Sequence, residues 1–273
     1  MKVAVLSDIH GNLTALTAVT QHISQWQPDI VIVNGDIVNG LPHSVACWQQ
    51  VQTQLGWQIV RGNHEEYVAE WDNLAEVDPL TFRFNQISWH TYQQMDGQAA
   101  EFWALPLQTA VSAPDGSTLT VTHASVRGIR DGIFAHTPDD EVARQIAPET
   151  AVFVTAHTHQ PFIRRLNGTQ VVNVGAVGLP GDGDRRASYG RFTWTPRNGW
   201  QAHIIRVPYN WQQAAQSFFT TGYLDDVGPM ARLSLAELQH ARDFKARWAR
   251  TYQQAVRDGR ISLEASVQVV LDE

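Results

Sequence analysis

The chain has 273 residues, 43% of them hydrophobic, with a formal net charge of −7 and a single cysteine. It can bury a sizeable core as one large domain or a domain with an appendage, and its acidic balance argues against general nucleic-acid or anionic-membrane binding, both of which draw on clustered positive charge. Cys47 alone forms no internal disulfide and no cysteine-rich zinc site, no apolar run approaches a membrane span, and the first residues lack the pattern of a targeting leader. Any metal must therefore take N and O ligands, and the expected compartment is the cytoplasm.

Residues 2 to 34 read as a β-α-β unit. Val3 to Leu6 and Ile30 to Val33 are apolar runs, and between them Leu13, Leu16, Ala18, Val19, Ile23 and Trp26 recur at helical spacing. A right-handed crossover makes the two strands parallel, so the loops after Leu6 and after Val33 open on the same edge of the sheet. The first carries Ser7-Asp8-Ile9-His10-Gly11-Asn12 and the second Asn34-Gly35-Asp36-Ile37-Val38-Asn39-Gly40. A helix around Ser44 to Gln54 and a strand at Trp57 to Val60 then lead to Arg61-Gly62-Asn63-His64-Glu65.

From Glu65 to Leu107 the pattern is aromatic-rich and mostly helical, which predicts a helical layer on the sheet. An Asp115-Gly116 turn opens the strand Leu119 to Val121, which ends on Thr122-His123-Ala124. The strand Ala151 to Val154 ends on Thr155-Ala156-His157-Thr158-His159, and an Asn167-Gly168 turn opens a strand from Gln170 to Val174. Arg191 to Trp194 and Ala202 to Val207, flanking a Pro196-Asn198-Gly199 turn, predict an antiparallel hairpin at a sheet edge. From Trp211 to Glu273 the signals are helical, with a break at Gly228-Pro229 and a capping box from Ser234 to Glu237. The predicted organisation is one domain over residues 1–210 and a helical extension over 211–273 packed on it.

The strand ends thus collect Asp8, His10, Asp36, Asn63, His123, His157 and His159. Two carboxylates, a carboxamide and four imidazoles suffice for two metal ions sharing a ligand. Ions about 3.5–4 Å apart need an anionic bridge, which Asp36 with its two oxygens can supply. Asp8, His10 and His159 would complete one ion; Asn63, His123 and His157 would complete the other. This donor set suits Mn, Fe, Zn or Co, whereas Mg and Ca prefer oxygen and Cu(I) prefers sulfur. A water bridging two such ions loses its proton near neutral pH and attacks in line, so the implied reaction is phosphoester hydrolysis by a metal-bridging hydroxide. His64, beside Asn63, is placed to protonate or hydrogen-bond the leaving oxygen. Asn39, Arg61 and Arg127 are candidate phosphate contacts.

Together the blocks S-D-I-H-G-N (7 to 12), N-G-D-I-V-N-G (34 to 40), R-G-N-H-E (61 to 65), V-T-H (121 to 123) and A-H-T-H (156 to 159) resemble those of the calcineurin-like metallophosphoesterases. N-V-G-A-V-G (173 to 178) and R-R-A-S-Y-G (185 to 190) are similar to stretches of its small prokaryotic members. The resemblance spans residues 3 to about 190 and implies an α/β fold, a four-layer α-β-β-α sandwich, with the two-metal roles given above. Ala156, Val174 and Ala176 depart mildly from the family pattern. The second loop also lacks the phosphate-gripping Arg of the protein Ser/Thr phosphatases.

Each ligand candidate taken singly reads more simply as a loop cap or a satisfied polar group; it is the ordered series that favours a metal site. The other histidines, at 22, 43, 90, 136, 203 and 240, fall outside it. Aromatic residues between Trp71 and Trp103 could stack on a nucleotide, yet at helical spacing they are usually core. The reading is a phosphomono- or phosphodiesterase acting on a small molecule or nucleotide, with oligomeric state left open. The alternatives are a phosphoprotein phosphatase, a nuclease of the same superfamily, or a non-catalytic metal-binding scaffold.

Overall fold

The computed structural model describes residues 1–74 and 76–273. Its strands are β1 (Lys2–Leu6), β2 (Ile30–Asn34), β3 (Gln58–Val60), β4 (Gln108–Ser112), β5 (Thr118–Thr122), β6 (Val152–Thr155), β7 (Phe162–Leu166), β8 (Thr169–Asn173), β9 (Ala187–Thr195) and β10 (Gly199–Val207). They form two five-stranded sheets, ordered β10-β9-β1-β2-β3 and β4-β5-β6-β8-β7. In the first, β1, β2 and β3 run parallel and the β9–β10 hairpin is antiparallel at one edge. In the second, β5, β6 and β8 run parallel between two antiparallel edge strands.

Alternation along the strands sets the layers. Val3, Val5 and Ile32 of the first sheet meet Leu119, Val121, Val152, Val154 and Val172 of the second in one buried core between the sheets. The intervening residues Ala4, Leu6, Val31 and Val33 turn the other way. They pack on α1 (Leu13–Trp26), α2 (Ser44–Gln52) and the segment that follows, which contains α3 (Asn63–Ala69), α4 (Pro79–Phe84) and α5 (Gln86–Met95). On the far face of the second sheet, Phe153, Leu166 and Val171 pack on Val142 of α6 (Asp139–Gln145). The result is the four-layer α-β-β-α sandwich.

Two strands have no counterpart in the sequence reading, β4 and β7, and both are edges of the second sheet. An edge strand buries few side chains, so QTAVS and FIRRL lack the apolar run that marks β6 or β8. The aromatic stretch behaves as packing: Trp71, Phe82 and Trp89 meet edge to face, with ring centroids 5.0–6.0 Å apart.

Beyond β10 come α7 (Trp211–Thr220), α8 (Tyr223–Val227), α9 (Pro229–His240), α10 (Phe244–Arg257) and α11 (Leu263–Asp272). Phe218, Tyr223, Leu233, Trp248 and Val267 build a core of their own that also takes in Leu41, Ile87 and Leu179. The capping box predicted at Ser234 does not form. Helix α9 starts at Pro229, after Gly228 at φ 75°, so Ser234 lies buried in mid-helix and Glu237 turns to Lys245. The Gly-Pro pair that read as a break is the helix start, because Pro fits the first helical position, where no N–H is needed. No helix among the described residues is long and apolar enough to cross a membrane.

Candidate metal centre

The loops that follow the parallel strands are stitched together by backbone hydrogen bonds. Asp8 N, His10 N and Gly11 N donate to Gly35 O, Asp36 O and Ile37 O, joining the loops after β1 and β2. Val177 N and Gly178 N donate to Ser7 O and Asp8 O, and Ala156 N donates to His123 O. Asn34 Nδ2 donates to Thr122 O across the sandwich, so the carboxyl ends of both sheets close on one point.

The backbone there is strained. Asp8, His10, Asp36, Asn39, His157 and His159 all have φ between 49° and 67°. This left-handed region costs a non-glycine residue about 1–3 kcal/mol and persists only where surrounding contacts over-determine it. Gly62 is required for a different reason: a Cβ there would fall on Asp36 Oδ1 and on the Asp36 backbone nitrogen.

Two ligand sets result. Asp8, His10, Asp36 and His159 each offer an atom, all within 4.8 Å of one another, and Asp36, His123 and His157 do the same. Asn63 joins the second set, its Oδ1 3.0 Å from His123 Nε2. Asp36 belongs to both, but through one oxygen rather than two. Its Oδ2 lies 3.7 Å from His10 Nε2 and 3.3 Å from His123 Nε2, while Oδ1 accepts from the His64 backbone N–H at 2.8 Å.

The orientation of the donors fits cations. His10 Nδ1 and His123 Nδ1 face backbone carbonyls, Asn39 O at 2.9 Å and Asn34 O at 2.7 Å, so each carries its proton on Nδ1 and presents Nε2 as a lone pair. The His123 lone pair then faces an acceptor, Asn63 Oδ1 at 3.0 Å, and that of His10 faces His159 Nε2 at 3.1 Å. Asp8 Oδ1 is buried with no hydrogen-bond partner. Acceptors converging on one another in a buried space call for positive charge between them. Without a cation a proton is drawn in instead, and Nε2 is a lone pair only once that proton is displaced: burial favours neutral His123, yet Asp36 overturns that and lifts the imidazole to about 10. His159 is raised in the same sense, against burial, chiefly by Asp8.

His64 stands at the partly exposed rim with its side chain 23% accessible, and its Nε2 lies 4.0 Å from Asp36 Oδ2. Burial holds its imidazole down, to about 4. Asn39 Nδ2 donates to His64 Nδ1 at 2.9 Å, which commits one amide hydrogen of that candidate phosphate contact to the histidine. The two arginines proposed as phosphate contacts are already paired. Arg61 donates to Trp103 O, lies 3.3 Å from Glu66 and rests on the Trp103 ring. Arg127 binds Asp131 through two nitrogens and Glu141 through Nη2. To meet a phosphate, Arg127 would have to leave or share these two carboxylates.

Sequence reasoning gave no role to Glu65, although R-G-N-H-E contains it. Its buried carboxylate accepts from Gly62 N, Asp36 N, Ile37 N and Val38 N at 2.7–3.3 Å, tying the Asp36 loop to the start of α3. The available signal was a carboxylate three residues after a glycine at a helix start, the spacing of a capping box. Tyr67 and Arg130 were also missed: the Tyr67 ring lies 5.2 Å from that of His64 and carries the Arg130 guanidinium 4.6 Å from its centroid. That contact joins segments more than sixty residues apart and has no local signature.

Comparison with known proteins agrees with this geometry. The family profile of the calcineurin-like phosphoesterase superfamily domain matches residues 1–195. The chain is 27% identical over 228 residues to the uncharacterized protein MJ0912 of Methanocaldococcus jannaschii, covering 78% of this chain and 89% of that protein. Its fold is similar to a crystal structure of a metallophosphoesterase from Sphaerobacter thermophilus, with TM-score 0.70, 24% identity, and coverage of 88% of this chain and 99% of the other. It is equally similar to the hypothetical protein PH1004 of Pyrococcus horikoshii OT3, with TM-score 0.70, 18% identity, and coverage of 88% and 98%. With the profile spanning nine of the ten strands and every strand-end loop of the site, the chain belongs to the calcineurin-like phosphoesterase superfamily.

Proposed function

We infer that the protein is a dinuclear-metal phosphoesterase acting on phosphomono- or phosphodiesters of a small molecule or nucleotide. The observation that carries this reading is the single Asp36 oxygen shared by two ligand sets, each with its atoms within 4.8 Å. Asp8, His10 and His159 would hold one ion, Asn63, His123 and His157 the other, with Mn, Fe, Zn or Co matching the N/O donors. When bound, such a pair supplies Lewis acidity and a nucleophile at neutral pH.

The chain's own groups would do the rest. Glu65 and the His64 backbone N–H orient Asp36 so that Oδ2 faces both sets. Asn39 Nδ2 on His64 Nδ1 leaves the His64 proton on Nε2, the nitrogen turned toward the cluster. Held neutral by burial, His64 would offer its Nε2–H as a hydrogen bond to the leaving oxygen, and would give up a proton there only from the imidazolium form. Arg61 and Arg127, candidate phosphate contacts, would brace the neighbouring loops through their present partners and reach a substrate only by sharing or leaving them.

Metal analysis of protein purified without chelator, with turnover of aryl phosphomonoesters and phosphodiesters in added Mn²⁺, tests this. The expected outcome is two ions per chain and hydrolysis of at least one ester class. Asp36→Asn removes the shared charge and should lower bound metal to one ion or fewer, with kcat falling by more than about 100-fold. Wild-type kcat in that variant would overturn the two-metal reading.

A further inference from the structure

The loop after β5 is braced from within. Asp131 accepts from Ser125 Oγ, from Arg127 Nε and Nη2 and from Gln145 Nε2, the last three at 2.7–3.0 Å. Ser125 and Gly128 exchange backbone hydrogen bonds, and Asp131 N donates to Gly128 O, which closes the turn. Its returning limb runs against the metal centre: a Cβ on Gly132 would come 2.8 Å from Thr158 Cγ2 and 3.1 Å from the ring of the ligand candidate His157. Arg130 lies two residues before Gly132, so the braced turn fixes where it can stand.

It stands over Tyr67, with its guanidinium carbon 4.6 Å from the ring centroid. Tyr67 follows His64 by one turn of α3, and the two rings meet edge to face with centroids 5.2 Å apart. His64 in turn has Nε2 4.0 Å from Asp36 Oδ2. Accessibility rises along this series, from 1% at Asp36 to 23% at His64 and 50% at Arg130, with Tyr67 half-buried between the last two. A strip of side chains thus leads from the cluster to solvent and ends on a cation.

That cation is loosely engaged. Its Nη2 faces Glu70 at 3.4 Å and Glu66 at 3.6 Å, and Glu66 is shared with Arg61 at 3.3 Å. Nε and Nη1 of Arg130 have no hydrogen-bond partner among the described residues. A guanidinium resting by one face on an aromatic ring keeps its edge donors in plane, where they match the two oxygens of a phosphate or carboxylate.

We propose that Arg130, held on Tyr67 by the braced loop, receives a second anionic group of the substrate, a phosphate or a carboxylate, beyond the phosphoryl group at the metal centre. Tyr67 and His64 lie between the guanidinium and the cluster, so the group it meets is a distal one. The preferred substrates are then phosphoesters that carry a further negative charge a few bonds from the phosphorus. This rests on the phosphoesterase reading.

Calorimetric titration of the metal-loaded protein with propylphosphonate, 3-phosphonopropionate and 1,2-ethylenediphosphonate tests it without turnover. The three share one phosphonate and a short tail that ends in methyl, carboxylate or phosphonate. Arg130→Met keeps an unbranched chain on the Tyr67 ring. It should weaken the charged-tail ligands about tenfold and propylphosphonate by less than about twofold, with metal content unchanged, and the larger of the two losses identifies the anion the rim takes. Glu70→Gln, at an exposed position outside the site, releases Nη2 and should tighten the charged-tail ligands about twofold. Equal losses for all three ligands in Arg130→Met would make Arg130 a brace for α3 and overturn the proposal, as would unchanged affinity for both charged-tail ligands or their weaker binding by Glu70→Gln. A wild-type protein that hydrolyses no ester would overturn the functional reading, yet the ratio of charged-tail to propylphosphonate affinity would still decide the role of Arg130.

Discussion

In the strand-end loops, five of the seven ligand candidates hold a left-handed backbone, whereas among the described residues of the C-terminal helices only Ala241 does so outside glycine. Three of the five helices, α7, α10 and α11, begin with ordinary side-chain caps, Asn210, Asp243 and Ser262 each accepting a backbone N–H. Regular hydrogen bonding leaves such helices near an energy minimum, while the loops hold several residues away from theirs. The difference marks out the candidate site: strain is concentrated where converging acceptors are aimed at one point, and the helices supply relaxed mass that fixes the loops from outside. Variants that touch the aim of the loops should therefore cost far more activity than variants of well-paired surface groups.

The largest effect expected within the loops, short of losing Asp36, is from His64→Ala. Its imidazole is no ligand in either set, so metal content should hold while kcat falls by about 10²–10⁴-fold. The loss should grow with leaving-group pKa, since an acidic phenol departs with little proton help and an alkyl or nucleoside alkoxide needs it. A series of esters assayed in wild type and variant reads this directly; losses that are equal across the series would remove His64 as the acid and leave it a role in position or charge.

Glu65→Gln probes the strain itself. An amide can accept at only one of its two heavy atoms, so the NH₂ end would confront two of the four backbone N–H groups that Glu65 now serves. Metal affinity and kcat should both drop about 10–100-fold, the range for groups that orient ligands without touching the metal. If Glu65→Gln binds metal as wild type does, the Asp36 loop holds its shape unaided and the contrast drawn above fails.

At the small end lies Arg127→Ala, which should change kcat/KM by less than about twofold because the guanidinium is half-exposed and spent on carboxylates. It has a separate signature. The hydrogen bonds from Arg127 are the main reason the Asp131 carboxyl is held down to about 2. A depressed carboxyl favours the folded state above its unfolded pKa, and that contribution is lost as pH falls through the folded value. In Arg127→Ala the Asp131 resonance should titrate at higher pH, and acid unfolding should begin earlier. A KM raised tenfold for phosphoesters would instead restore Arg127 as a substrate contact.

Much of the centre was legible in the sequence because each ligand candidate sits one to five residues past an apolar strand, and parallel strands must present those ends on one edge. The edge strands β4 and β7 were not legible, since a strand that buries one face of few residues writes no clear period. Neither was the sharing of Asp36 through Oδ2 alone, which depends on a backbone N–H twenty-eight residues away taking up Oδ1.

By itself, then, the order of residues determined the parallel strands, their polar ends and the N/O character of the site, because strand period and ligand chemistry are local properties of the chain. Tertiary structure alone decided which Asp36 oxygen faces His10 and His123, that Asn39 serves His64, and that Arg61 and Arg127 are already paired. Those outcomes rest on contacts between segments distant in sequence or on competition among neighbours for one charge, and no local pattern encodes the result of such a competition.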